Sequence, residues 1–136
     1  MKKFLSVLFA ALVTLSASQW AHANEFTDLR AQLSAARESL VTMMVNKDKR
    51  GADQQKLVKD SADAVSAQLA KLKAPAGKEA QFKELLETWN AFKKTREVEL
   101  VPAILAGKDD EAKKLAGGVQ KERITKCQQL VGELGG

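Results

Sequence analysis

Histidine and cysteine are nearly missing from this chain, with one of each, His22 and Cys127, in 136 residues. His22 lies in an N-terminal stretch laid out as a secretory signal: Lys2 and Lys3, an apolar run from Phe4 to Leu15, and the small-residue site Ala21-His22-Ala23. Cleavage after Ala23 leaves 113 residues without any imidazole. That removes the side chain best suited to proton transfer near neutral pH and the commonest metal ligand, so no cofactor or metal is expected. Di-iron bundle sites built on Glu-x-x-His pairs have no histidine to use. Covalent haem needs C-x-x-C-H, and the chain offers only Thr125-Lys126-Cys127-Gln128-Gln129. Met43 and Met44 are too far apart in angle on a helix to hold Cu(I) together with Cys127. No G-x-S-x-G, Gly-rich phosphate loop or Cys-His pairing occurs, and the expectation is a protein that is not an enzyme.

Long hydrophobic runs are also absent. The apolar run of the leader is about a dozen residues against the roughly 20 of a spanning helix, which favours a cleaved signal over a retained anchor. Nothing after it is apolar enough to span, so the expected location is the bacterial periplasm or the medium, with no stable membrane insertion after cleavage. One cysteine cannot form an internal disulfide. Cys127 shares a helix face with Leu130 and Leu134, which reads as a small buried apolar residue, with a disulfide across a dimer seam or a ligating thiol as the alternatives.

Aromatics and net charge are sparse too. Past Ala23 the aromatics are Phe26, Phe82, Trp89 and Phe92, and twenty Lys and Arg face seventeen acids for a net charge of +3. Basic and acidic residues interleave throughout, so no nucleic-acid partner is expected.

What the chain does have is helical periodicity in one domain, residues 24–136. Helix one is expected from Thr27 to Arg50, with Phe26, Leu29, Leu33, Ala36, Leu40 and Met43 on one stripe. Helix two is expected from Asp53 to Lys73, with Val58, Ala62, Val65, Leu69 and Leu72 inward, ended by Ala74-Pro75-Ala76-Gly77. Helix three runs from Lys78 toward Leu105, carrying Phe82, Leu85, Leu86, Trp89 and Phe92, with a kink or early end between Val98 and Pro102. Helix four comes after Gly107 with Asp109 or Asp110 as N-cap and runs to Glu133, with Leu115, Ala116, Val119, Ile124, Cys127 and Leu130 inward and Gly117-Gly118 as its weak point. Four such helices with short breaks bury their stripes only against one another, so the expected fold is all-α, an antiparallel up-down-up-down four-helix bundle.

Several charged residues break this pattern. The three-four step from Phe92 lands on Arg96 and Glu99, and the helix-four seam lands on Arg123. Arg30 and Arg37 lie on one face of helix one beside the Leu33-Leu40 stripe. Each could be a snorkelling or ion-paired arginine. The functional alternative is a guanidinium clamp for a carboxylate or other small anion, built from Arg30, Arg37, Arg96 and Arg123 with Trp89 as an apolar wall.

The stretch Thr88-Trp89-Asn90-Ala91-Phe92, then Lys94 through Ala112 with its Ala106-Gly107-Lys108-Asp109 turn, and Gly118-Val119-Gln120-Lys121-Glu122-Arg123, resembles the extracytoplasmic four-helix-bundle sensor module of methyl-accepting chemotaxis receptors. The resemblance covers helices three and four, and helices one and two by pattern. It implies a signal-transduction module that often dimerises and binds organic acids or amino acids near a helix-one and helix-four seam, where Arg30, Arg37 and Arg123 would lie. This sequence carries no second membrane helix, linker module or signalling coiled coil, so the expectation is a free-standing sensor bundle, able to pair as a homodimer. Its partner would be a small anionic ligand or a membrane receptor or kinase. The alternatives from other classes are an envelope interaction protein with no small-molecule site and a cytochrome-like carrier bundle.

Overall fold

A computed structural model of the chain describes residues 25–135, so the leader reading, with Trp20 and His22, lies outside the described residues. Those residues form an all-α structure of four long helical runs with no strand among them. The first run is α1, residues 25–45, succeeded by a 3₁₀ turn Lys47–Lys49. The second is α2, Ala52–Lys71. The third joins α3, Glu79–Thr95, through a π turn at Arg96–Leu100 to the short α4, Val101–Leu105. The fourth is α5, Asp109–Gly117, and α6, Val119–Leu134, interrupted at Gly118. No helix among the described residues is long and apolar enough to cross a membrane.

The first two stripes fold as their spacing dictates. Phe26, Leu29, Leu33, Ala36, Leu40 and Met43 of α1 are all buried, as are Val58, Ala62, Val65 and Leu69 of α2 and Leu72 just after it. Side chains three and four residues apart share one face, and a fully buried Leu, Val or Phe contributes roughly 1.5–3 kcal/mol relative to exposure. Leu85, Trp89 and Phe92 add the α3 face, and Ile124, Cys127, Leu130 and Val131 the α6 face, while Phe82 and Leu86 are only half-buried against this core. The turns are made by the glycines the sequence provides. Gly77 (φ 81°) and Gly107 (φ 75°) take left-handed backbone, which a Cβ disfavours. At Gly107 the Lys108 N–H reaches the Ala103 carbonyl at 2.9 Å and the Gly107 N–H the Ile104 carbonyl at 3.1 Å, closing the end of α4.

Departures from the expected pattern concentrate in the other half of the molecule. Helix one ends at residue 45, not Arg50, because Asn46 turns to extended backbone and Arg50 folds back onto the helix end. The break foreseen between Val98 and Pro102 starts earlier, at Arg96, and the chain stays helical to Leu105. Pro102 has no N–H to give in the ordinary ladder, and widening the turn so that the Val101 N–H reaches the Arg96 carbonyl absorbs the mismatch. The wide turn also moves the seam by one residue. Glu99 is exposed and Leu100, Ala103 and Ile104 are buried in its place.

Helix four behaves the same way. Lys108, not Asp109 or Asp110, precedes the helix, no side chain caps it, and Asp109 is its first residue. The helix breaks at Gly118 (φ −103°, ψ −112°), in a conformation where an added Cβ would sit 2.8 Å from the Lys114 carbonyl oxygen. The break rotates the α6 side chains about the helix axis: Val119, expected inward, is 38% exposed, and Gln120 (2%) takes its place.

Buried apolar residues therefore fall into two clusters. The larger spans Phe26 to Ala36, Ala62 to Leu72, Leu85 to Phe92 and Ile124 to Leu134. The smaller holds Leu40, Met43, Val58, Leu100, Ala103, Ile104 and Ala112.

Candidate functional site

Between the clusters lies a polar layer centred on Arg96, whose side chain is buried although no carboxylate among the described residues pairs with it. One terminal nitrogen donates to the Ala36 carbonyl at 2.7 Å and the other to the Val58 carbonyl at 2.6 Å, with the Ser61 hydroxyl at 3.5 Å. Ser61 and Ser39 hydroxyls meet at 2.9 Å, and the Gln54 amide donates to the Ser39 carbonyl at 2.8 Å. Burial pulls the Arg96 pKa down to about 10, with Glu97 opposing, so it keeps its proton at neutral pH. The layer thus spends this guanidinium on tying α1 and α2 to the π turn.

Arg123 is committed in the same way. Half-buried on α6, it donates to the Thr95 hydroxyl at 2.8 Å, the Gln120 side-chain oxygen at 3.0 Å and the Ala91 carbonyl at 3.4 Å. Gln120 in turn donates to the Phe92 carbonyl at 2.8 Å. Trp89 is a core anchor: its indole N–H donates to the Ser66 hydroxyl at 2.9 Å, and its ring lies 5.4 Å from that of Phe92 at 33°. It lines neither the cleft beside Arg37 nor the groove beside Lys93, so it walls no ligand site there. Cys127 is fully enclosed and its thiol is pushed up to about 12 by burial, which leaves neither a thiolate nor a sulfur at the surface.

Arg30 and Arg37 are both exposed on α1 but serve different neighbours. Arg30 packs over α6, where a Cβ on Gly132 would meet its terminal nitrogen at 2.8 Å. Arg37 lines a cleft of about 320 Å³ between α1 and the α5–α6 run. Two residues that sequence reasoning passed over, Lys113 and Lys121, line it as well. The remaining lining is Leu40, Val41, Met44, Phe92, Leu100, Ala116, Gly117, Gln120 and Ile124, and it includes no acid. None of the three cations takes part in an ion pair or side-chain hydrogen bond among the described residues. A signal for them existed in the sequence: from Ala112 to Lys121, around the glycine pair, there are three lysines and no acid.

A second groove, of about 330 Å³ between α2 and the α3 end, makes an instructive contrast. Lys59, Lys93 and Arg96 line it, but so do Asp63 and Glu97. Lys93 lies 2.7 Å from Glu97 and 3.4 Å from Asp63, and Lys59 bonds Asp63. The hydrogen bond to Glu97 raises the Lys93 pKa and that from Lys59 lowers the Asp63 pKa, as a self-neutralised surface network does. A guest anion there would have to displace carboxylates already in place. In the α1/α5–α6 cleft it would not.

The other charged centre missed in the sequence is Arg50. It donates to the carbonyls of Met43 (3.0 Å), Met44 (2.8 Å) and Ile104 (3.0 Å) and to Asp109 at 3.1 Å. One guanidinium thereby closes the ends of α1 and α4 and holds the start of α5. The hydrogen bond from Arg50 keeps the Asp109 carboxyl below the usual aspartate range.

Comparison of the chain with protein families, with curated proteins and with solved structures finds no match.

Proposed function

We propose that this chain is a non-enzymatic, sensor-type protein of the bacterial envelope, exported by a leader over residues 1–23, which takes up a small anion in the α1/α5–α6 cleft. In this reading residues 24–136 form an antiparallel up-down-up-down bundle. Two contacts support that order: Lys78 at the start of α3 donates to the Glu133 carbonyl near the end of α6 at 2.7 Å, and Gly135 lies against Phe26 at the start of α1. The observation that carries the function is the set of unmatched cations, Arg37, Lys113 and Lys121, around a cleft with no acid. An anion there gains three attractions and displaces no internal partner, and the apolar walls lower the local dielectric and strengthen them. The cleft also lies on the helix-one and helix-four face, where the resemblance to chemotaxis sensor modules puts a ligand. Bound between α1 and the α5–α6 run, the anion favours the packing in which those two runs are held together, and that shift is the signal a receptor partner reads.

Isothermal titration of the purified chain against a panel of organic acids and amino acids at low ionic strength tests this. Saturable heat is expected for at least one anion. Arg37→Ala combined with Lys121→Ala weakens it at least about tenfold, with helical circular dichroism unchanged. Heat that is absent across the panel, or untouched by the double substitution, refutes the reading.

A further inference from the structure

The cleft does more than collect positive charge. We infer that its ligand is a free aliphatic monocarboxylate of medium chain length, with the carboxylate among Arg37, Lys113 and Lys121 and the tail laid over Leu40, Met44 and Ala116; this rests on the preceding reading of the cleft as an anion site.

Three features of the lining select that class. The floor is hydrocarbon: Leu40, Phe92, Leu100 and Ile124 are core residues, each no more than 5% exposed, whose edges the cleft reaches. Half-buried Met44, with an unbranched and adaptable side chain, adds to them. The one polar group in the floor, Gln120, is spent at both ends, its nitrogen on the Phe92 carbonyl and its oxygen on Arg123. A hydroxyl, a sugar or the far carboxylate of a dicarboxylic acid pushed onto this floor would lose its hydration and find no partner. Finally, no acid lines the cleft, so the ammonium of an amino acid has nothing to pair with and would meet three cations. What remains is one negative charge on an apolar body. At about 320 Å³ the space lies at the small end of ligand pockets, enough for a single chain and not for a two-chain lipid.

The test is a chain-length series on the whole protein. Butanoate, hexanoate and octanoate are titrated beside succinate, glutamate and the uncharged octanamide. Each methylene that leaves water is worth up to roughly fourfold in affinity, the equivalent of about 0.8 kcal/mol. Octanoate is therefore expected to bind at least about tenfold more tightly than butanoate, and more tightly than octanamide, succinate or glutamate. Lys121→Ala should weaken every acid of the series by a similar factor. Ala116→Leu, which fills part of the cleft, should weaken octanoate more than butanoate and so flatten the series, and Met44→Gln checks the same point should that variant fold poorly. Equal affinities along the series, or tighter succinate or glutamate, overturn the inference and leave the anion reading standing. No binding of any anion removes both. Sedimentation with anionic phospholipid vesicles that octanoate fails to compete away also overturns it, because the face would then be meeting a membrane.

Discussion

The half of the molecule around Trp89 and the half around Arg96 solve one problem in opposite ways. Around Trp89, unbroken stretches of α1, α2, α3 and α6 close a hydrocarbon core, and the indole spends its single polar atom on Ser66. Around Arg96 the helices are interrupted by a π turn, a 3₁₀ turn and a glycine break, and polar side chains carry part of the load that packing carries elsewhere. Arg96 and Arg50 together donate to five backbone carbonyls, those of Ala36 and Val58 and those of Met43, Met44 and Ile104. Those of Met43, Met44 and Ile104 lie in the last turns of α1 and α4, where the helical ladder runs out, whereas those of Ala36 and Val58 lie inside α1 and α2 and take Arg96 as an additional donor. The lesson is that irregular backbone and buried guanidinium go together here, and the cleft with its unmatched cations lies along that irregular half.

The comparison breaks first at Trp89. Trp89→Ala is expected to cost about 3–5 kcal/mol, since a fully buried indole leaves a cavity in the larger cluster. Denaturant unfolding monitored by helical circular dichroism measures it. A loss below about 1 kcal/mol would mean that this core is not the main source of stability.

Next comes Arg96. Arg96→Ala should cost about 2–4 kcal/mol, combining lost charge-assisted hydrogen bonds with an empty space between the clusters. Arg96→Met should cost much less, under about 1.5 kcal/mol, because it fills the space without the penalty of holding a charge out of water. Equal losses in the two variants would show the hydrogen bonds to Ala36 and Val58, and not the filled volume, to be what joins the halves.

What the sequence made legible divides along the same line. The α1 and α2 stripes could be read residue by residue because a continuous helix keeps its phase, so Phe26 through Met43 and Val58 through Leu72 are buried as their spacing requires. Phase was lost wherever the backbone slipped. Extrapolating from Phe92 put Glu99 inside, and the wide turn at Arg96 puts Leu100 there; extrapolating through Gly117-Gly118 put Val119 inside, and the break puts Gln120 there. Periodicity alone carries no trace of an added residue. The arginines were legible as exceptions but not by role. Arg96 and Arg123 satisfy the protein itself, Arg37 lines the cleft, and Arg50 went unnoticed because it was counted as the end of a helix.

Arg50 supplies a middle-sized effect. Arg50→Ala is expected to cost about 2 kcal/mol and to speed amide exchange at the ends of α1 and α4, whose carbonyls it holds. It should also remove part of the acid sensitivity. Asp109 has a folded-state pKa below its unfolded value of about 3.9, so its stabilisation is complete above that value and fades as pH falls through the folded one. Unfolding measured between neutral pH and the acid side of that range should show a shallower loss in Arg50→Ala than in the parent chain.

The smallest effects separate the two adjacent glycines. At Gly118 an added Cβ would press on the Lys114 carbonyl oxygen at 2.8 Å, a backbone atom that cannot swing aside, and Gly118→Ala should cost about 1 kcal/mol or slightly more. At Gly117 nothing lies within 4 Å of the same added carbon and the residue is helical, so Gly117→Ala should gain up to about 1 kcal/mol by restricting the unfolded chain. Thermal melting of the two variants side by side measures the pair. Opposite signs tie the register change between Leu115 and Gln120 to the single position Gly118, where the fourth run gives up its phase and lets Lys113 and Lys121 line the same cleft as Arg37.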